Sequence, residues 1–186
     1  YRHSALGWPL GVTQAVNAPD GVSIAYTDSI PLLAVLCRKL AAALEGTFQY
    51  FGWFTLGCFA LQGGFGALLC GLFANALFAQ LAGALVFTVS PVLIERAFRH
   101  SSLGAQWLVL AALYCYFSCR RQGRYASAGL LIINVLAVGI HPYFLPMTYA
   151  VTLALLLEYA VTHRQWLRPA ALLIGNMACT AALGWA

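Results

Sequence analysis

Charge is scarce in this chain: ten Lys and Arg side chains and five Asp and Glu in 186 residues, of which 62% are hydrophobic. A soluble domain of this length needs far more charge to cover its surface, so that class is excluded. The mean hydropathy of +0.80 points instead to a polytopic α-helical membrane protein. The alternating segments of a membrane β-barrel, roughly ten residues each, are missing. So are a phosphate-cradling Gly loop, a zinc signature and a nucleophile elbow. The net charge of +5 is spread over separate breaks rather than one basic face, which argues against nucleic acid as a partner. Six cysteines all lie in apolar runs. Cys115 and Cys119 share a helix face, but no His or further Cys completes a metal set beside them. They are expected to be small buried apolar residues.

What is present is an abrupt change of solvent near Ser29. Residues 1–28 are polar, aromatic and rich in Gly and Pro, and hold Asp20 and Asp28, two of the five acidic residues. Beyond them, Leu, Ala, Phe and Val fill windows of about 17–25 residues, the length that crosses a bilayer core. The runs predict spans near 48–73, 75–93, 102–119, 126–140, 143–161 and 170–186, about six in all. Between Ser29 and Glu45 the apolar stretch is too short to cross, and Arg38-Lys39 interrupts it. An amphipathic helix lying on the membrane surface fits better there, started by Asp28-Ser29 as a cap and Pro31 in the first turn. The alternative, that it crosses, would put residues 1–28 on the opposite side. Tyr1 is not a start methionine, and the last run stops at Gly184-Trp185-Ala186 without a flanking loop. A piece of a longer membrane protein is therefore expected, with at least one helix before Tyr1 and several after Ala186.

Basic residues in short loops set the orientation. Arg120, Arg121 and Arg124 mark one cytoplasmic loop, and Arg164 and Arg168 another, two spans further on. Alternation then makes the Asn75 turn cytoplasmic, and the Glu95–Ser101 break and His141-Pro142 external. The division expected is an external loop with its surface helix over 1–45, and a helical bundle over 46–186.

The external breaks hold the candidate chemistry. Arg96 and Arg99 stand there against the positive-inside tendency, with His100 beside them. Guanidinium groups match phosphate oxygens in a bidentate fork, so a lipid phosphate at headgroup level is a natural ligand; plain snorkelling to lipid headgroups is the competing reading. Glu95 is a candidate general base or a salt-bridge partner of Arg99 four residues on. Asp28 is a helix cap or a carboxylate at the mouth of an external cavity. Asp20, in Pro19-Asp20-Gly21, is a turn residue. His141 could contact a phosphate or move a proton, and Tyr143 suits the interfacial belt. Gln106 and Trp107 could line a cavity. Inside the spans Gln62, Asn134 and Asn176 are expected to bond between helices, Gly63, Gly64 and Gly66 to permit close packing, and Glu158 to reach toward Arg164 or His163. No metal site is visible, although two carboxylates and a phosphate could hold Mg²⁺ or Mn²⁺.

Several stretches together carry a family resemblance: Gly7-Trp8-Pro9-Leu10-Gly11, Tyr26-Thr27-Asp28-Ser29-Ile30-Pro31-Leu32-Leu33, Phe48-Gln49-Tyr50-Phe51-Gly52, Cys58-Phe59-Ala60-Leu61-Gln62-Gly63 and Gly139-Ile140-His141-Pro142-Tyr143. The chain resembles a family of bacterial polytopic membrane proteins of unassigned function. Its layout is similar to that of the GT-C membrane glycosyltransferases, in which a first helix, a long external loop with surface helices and a helical bundle follow one another. The resemblance implies sugar transfer from a polyprenyl-phosphate donor at the external face of the bacterial inner membrane. It implies a catalytic role for Glu95, the position best matching the family's second acidic site. Asp28, the other candidate catalytic acid, maps onto no family position, and Arg96, Arg99, His100, His141 and Tyr143 are the candidate substrate-binding residues. GT-C enzymes place an essential acid directly after their first helix, a position that would precede Tyr1. A transporter or flippase of a lipid-linked or anionic substrate would use the same arginines without breaking a bond, and a non-catalytic scaffold would need them only as anchors.

Overall fold

The structure is a computed structural model and describes residues 12–13, 19–23, 28–43, 49–126 and 128–184. Near the start a short antiparallel ladder pairs β1 (Val12–Thr13) with β2 (Val22–Ser23), Val12 opposite Ser23 and Thr13 opposite Val22. A turn at Pro19 and Asp20 leads into Gly21, whose φ of 76° suits glycine. The Pro-Asp-Gly turn reading of Asp20 therefore holds.

Everything else with regular structure among the described residues is helical. The helices are α1 (Pro31–Ala43), α2 (Phe51–Gly71), α3 (Leu77–Thr88), α4 (Pro91–Arg99), a short 3-10 helix (Ser101–Gly104), α5 (Trp107–Arg121), α6 (Ala128–Ile140), α7 (Phe144–His163) and α8 (Leu167–Gly184). Among the described residues, three stretches are long and apolar enough to cross a membrane: α2, the 21 residues Ser101–Arg121, and α7. A fourth exists if α3 and α4, bent by 41° at their junction, form one broken span.

The expectation of about six spans is thus reduced to three or four, for identifiable reasons. α6 has 13 residues and is about 20 Å long, well short of a hydrocarbon core of about 30 Å. α8 opens on Arg168 and Pro169 and carries Asn176 in its middle. The Glu95–Ser101 break, expected as a loop, is helical as far as Arg99. Pro91 sits at the first helical position of α4, where its missing N–H and fixed φ start a helix rather than stop one. α1 is a separate 13-residue helix, also about 20 Å long. It docks on α6, with Leu32 against Gly139 and with Ile30 and Ala34 buried.

α5 is the hub, packed against α2, α6 and α7 through Leu108, Ala111 and Ala112. Contacts at the helix ends fix the sense of each helix. Phe73 meets Phe117 edge-on at 5.1 Å, and Arg120 meets Glu158, so the α2–α3 turn, the end of α5 and the end of α7 share one end of the bundle. Asp28 meets Ser101 and Ser102 at the other. The α2–α3 turn and the ends of α5 and α7 thus group together, as the spacing of the basic loops groups them. On α3, Leu77, Phe78, Leu81 and Leu85 stay exposed, as do Leu153, Leu157 and Val161 on α7. Such unbroken apolar surface is matched by lipid, and the protein is a membrane protein.

α2 and α3 make the tightest pair. A Cβ on Gly66 would lie 2.8 Å from Phe87 Cδ2 and 3.0 Å from the Gly83 carbonyl oxygen, whereas one on Gly64 would meet nothing within 4 Å. Gly66→Ala must therefore push the two helices apart. A loss of about 1–3 kcal/mol is expected, visible as a lower Tm in detergent. Gly64→Ala is the control, neutral or slightly stabilising through helix propensity. An unchanged Tm for Gly66→Ala would show that the pair does not need this close approach.

Candidate functional site

At the Asp28 end, three separate parts of the chain meet. The turn before α5 starts a 3-10 helix whose first N–H groups have no partner within the helix. Asp28 supplies one from outside. Its Oδ2 accepts the Ser101 N–H at 2.9 Å, and its Oδ1 accepts the Ser102 N–H at 3.1 Å together with the Ser102 hydroxyl in a short bond. Ser102 is fully buried, so these donors would be costly to leave unpaired. As a cap, Asp28 is expected on the helix that begins at Pro31; its carboxylate instead bonds a helix start 73 residues away. Neither Ser101 nor Ser102 stood out in the sequence, because nothing local marks a serine pair as the receiver of a distant carboxylate.

His141 closes this end from the α6–α7 turn. Its backbone N–H donates to Ala137 O, continuing α6, and its Nδ1 accepts the Tyr143 N–H at 3.2 Å. Nδ1 is thus an acceptor and Nε2 carries the proton in the neutral ring. Burial pushes the imidazole below its usual 6.5, and the negative charge of Asp28 opposes that shift in part. Tyr143 is exposed while its neighbour Phe144 is buried in the core, the rings meeting edge-on at 6.1 Å.

Glu95, Arg96, Arg99 and His100 lie on α4 and at its end, all exposed. Glu95 and Arg99 form the expected i, i+4 pair at 3.8 Å, with side chains 66% and 74% exposed. α4 also leaves Val92, Ile94 and Phe98 exposed and buries Leu93 and Ala97. It is an amphipathic helix lying at the end of the bundle, with cations and apolar side chains displayed together. The α4 residues are carried toward the Asp28–Ser102 junction because the 3-10 helix follows α4 after a single residue. Of the cavity candidates, Trp107 is buried beside Phe65, ring centroids 6.0 Å apart. Among the described residues, no group of three or more His, Cys, Asp and Glu side chains comes together.

Between the two ends runs a polar seam. Asn134 Nδ2 donates to Thr152 Oγ1 at 3.1 Å and to Asn176 Oδ1 at 3.2 Å, and the Tyr149 hydroxyl donates to Asn176 Oδ1 at 2.9 Å. Asn134 and Asn176 thus tie α6, α7 and α8 together, as interhelical bonding predicts. At the Arg120 end Glu158 departs from expectation. It reaches neither Arg164 nor His163 but bonds Arg120 Nε at 2.7 Å and receives the Tyr116 hydroxyl at 2.7 Å. Tyr116 and Arg120 are four residues apart on α5, so one face of that helix presents both to α7, a spacing the sequence does display.

Two outcomes follow for the Asp28 end. Asp28→Ala should release Ser101 and Ser102, speeding exchange of both amides and costing about 1–3 kcal/mol, whereas Asp28→Asn keeps one acceptor oxygen and should lie between. Because the folded state disfavours protonated His141, its contribution to stability is full above about 6.5 and is lost as pH falls toward the lowered folded value. The acid-side slope of stability against pH should therefore shrink in His141→Gln, and an identical slope in both proteins would contradict the burial of this ring.

No curated protein and no solved structure matches the chain. One family does: residues 1–186 match the family described as a domain of unknown function, DUF6311, and the chain belongs to it.

Proposed function

We propose that the Asp28 end is the external face of a GT-C-like membrane glycosyltransferase, acting on a polyprenyl-phosphate-linked sugar at the bacterial inner membrane. What carries the reading is the convergence at one end of the bundle of the segment before α1, the α4 helix with its hinge, and the α6–α7 turn. An amphipathic donor needs a surface that is cationic and apolar at once, and α4 displays Arg96 and Arg99 beside Ile94 and Phe98.

In this reading Arg96 and Arg99 hold the carrier phosphate in charge-assisted hydrogen bonds, with His100, His141 and Tyr143 completing the polar rim. The acceptor oxygen attacks the anomeric carbon, the bond from that carbon to the phosphate oxygen breaks, and the phosphate leaves with the electron pair. Cations beside it stabilise the charge as it develops. Glu95 takes the acceptor proton, since its pair with Arg99 is long and exposed. Asp28 already has three donors on its two oxygens, and its role is to position the hinge that presents α4. A second reading draws on the 41° break between α3 and α4: broken helices build transporter sites, and the same arginines would then bind a substrate without cleaving it.

The test incubates purified full-length protein with polyprenyl-phosphate sugars and follows release of the carrier phosphate. Glu95→Gln should lower the rate by about 10²–10⁴-fold and Arg99→Ala by about 10²-fold. Binding that depends on Arg99 without release would favour the transporter, and neither binding nor release across a panel of donors would overturn both.

A further inference from the structure

The opposite end of the bundle holds a polar pocket that the proposed activity does not use. It is an open depression of about 210 Å³, well above the roughly 15 Å³ that one water needs, between the ends of α5 and α7. Arg120, Arg124, Tyr125, Glu158, Tyr159 and His163 line it. We infer that this pocket is a binding site for a phosphate group, independent of the reading given for the Asp28 end.

The local sequence explains how the cations are placed. α5 ends in a Schellman motif: the Gly123 N–H reaches Arg120 O at 3.2 Å and the Arg124 N–H reaches Cys119 O at 2.8 Å. This needs a left-handed residue, and Gly123 supplies it with φ of 62°. The reversal brings Arg124 back beside the last turn of α5 and onto the pocket wall. The opposing wall is aromatic. Tyr125 stacks on Tyr159 with centroids 3.7 Å apart, and Tyr159 lies 4.3 Å from the His163 ring.

The charge balance selects an anion. The pocket's carboxylate is already committed, with Glu158 Oε1 on Arg120 and Oε2 on Tyr116. Arg124 gives one N–H to Gln122 Oε1 at 3.2 Å, and a guanidinium has five to give. Arg124, outside that ion pair, and His163 and Thr162 line the same space, while the Tyr159 hydroxyl donates to Gln165 Oε1 at 3.4 Å. Planar N–H forks of this kind match phosphate oxygens. The pocket lies at the ends of two stretches long enough to cross a membrane, where lipid phosphates sit and where basic pockets between helices take anionic headgroups. A phospholipid headgroup and free inorganic phosphate share this chemistry.

The experiment measures phosphatidylglycerol retained by the full chain in native mass spectrometry from detergent, with and without an excess of inorganic phosphate. Arg124→Gln and His163→Gln are compared with Arg168→Gln, an exposed cation outside the pocket, and circular dichroism confirms that each variant is folded. Arg124→Gln should weaken retention by about tenfold, the loss of one charge-assisted contact, while Arg168→Gln stays near wild type. Displacement by inorganic phosphate would support the site and show that it takes the free ion. Retention that phosphate does not displace would support it as a lipid site. Equal retention in Arg124→Gln and Arg168→Gln, or none in the wild type with either probe, would overturn the inference.

Discussion

The carboxylate of Asp28 is the constraint on which the Asp28 end depends. It joins chain positions 73 residues apart by accepting the exposed Ser101 N–H and the donors of fully buried Ser102, which water reaches poorly. Once it is fixed, Ile30 follows two residues later into a fully buried position, and Leu32 seats α1 on α6 at Gly139. The same bonds fix the hinge between α4 and α5. The direction in which α4 presents Glu95, Arg96 and Arg99 is therefore set by a residue from a different part of the chain. A cap made across such a distance couples the first segment to the bundle, whereas a cap made by a neighbouring residue would leave the two independent.

Hydrocarbon favours polar groups that satisfy one another, and the bundle follows that rule in part: Gln62 Oε1 and Asn134 Oδ1 are buried without a hydrogen-bond partner among the described residues. The ionised side chains of α4, α5, α7 and α8 sit at the two ends. Between them, the Asn134, Thr152, Asn176 and Tyr149 side chains answer one another across α6, α7 and α8. This seam gives the short helix α6 specific partners that its length does not supply. Apolar contact alone specifies register weakly between membrane helices, because lipid tails are as apolar as leucine. Directed bonds at Asn134 restrict α7 and α8 to one relative height.

The sequence made some of this legible and hid the rest for physical reasons. Composition and run length identified the membrane class and located α2, α5 and α7, since span length is a one-dimensional property. Short-range chemistry was equally readable: the Pro19-Asp20-Gly21 turn and the grouping of basic loops both rest on neighbours in the chain. The bounds of α6 were readable too, since Arg124 and His141-Pro142 flank its run, but at 13 residues the helix falls short of the crossing expected of it. α4 was hidden by reading polarity as loop, although Pro91 followed by Leu93 and Ala97 on one face is an amphipathic helix start. The Asp28–Ser102 and Glu158–Arg120 partnerships are tertiary. A carboxylate states in the sequence that it needs donors, but not which donors the fold will bring.

Two ion pairs of the same composition differ in how firmly each holds its arginine. Glu95 and Arg99 stand 3.8 Å apart in water, where a unit pair is worth about 1 kcal/mol or less, and neither has a third partner holding it in place among the described residues. A phosphate arriving there can take Arg99 from Glu95 at little cost and leave the carboxylate unpaired beside the ligand, the condition a general base needs. Glu158 and Arg120 stand at 2.7 Å, more shielded from solvent, and the Tyr116 hydroxyl completes the set. A ligand there meets an arginine whose charge is already answered, so it must draw on Arg124, which the Gly123 turn delivers from outside the pair. Separation and solvent exposure thus decide which arginine is available at each end. The same residue type is an exchangeable partner at one end of the bundle and a fixed wall at the other.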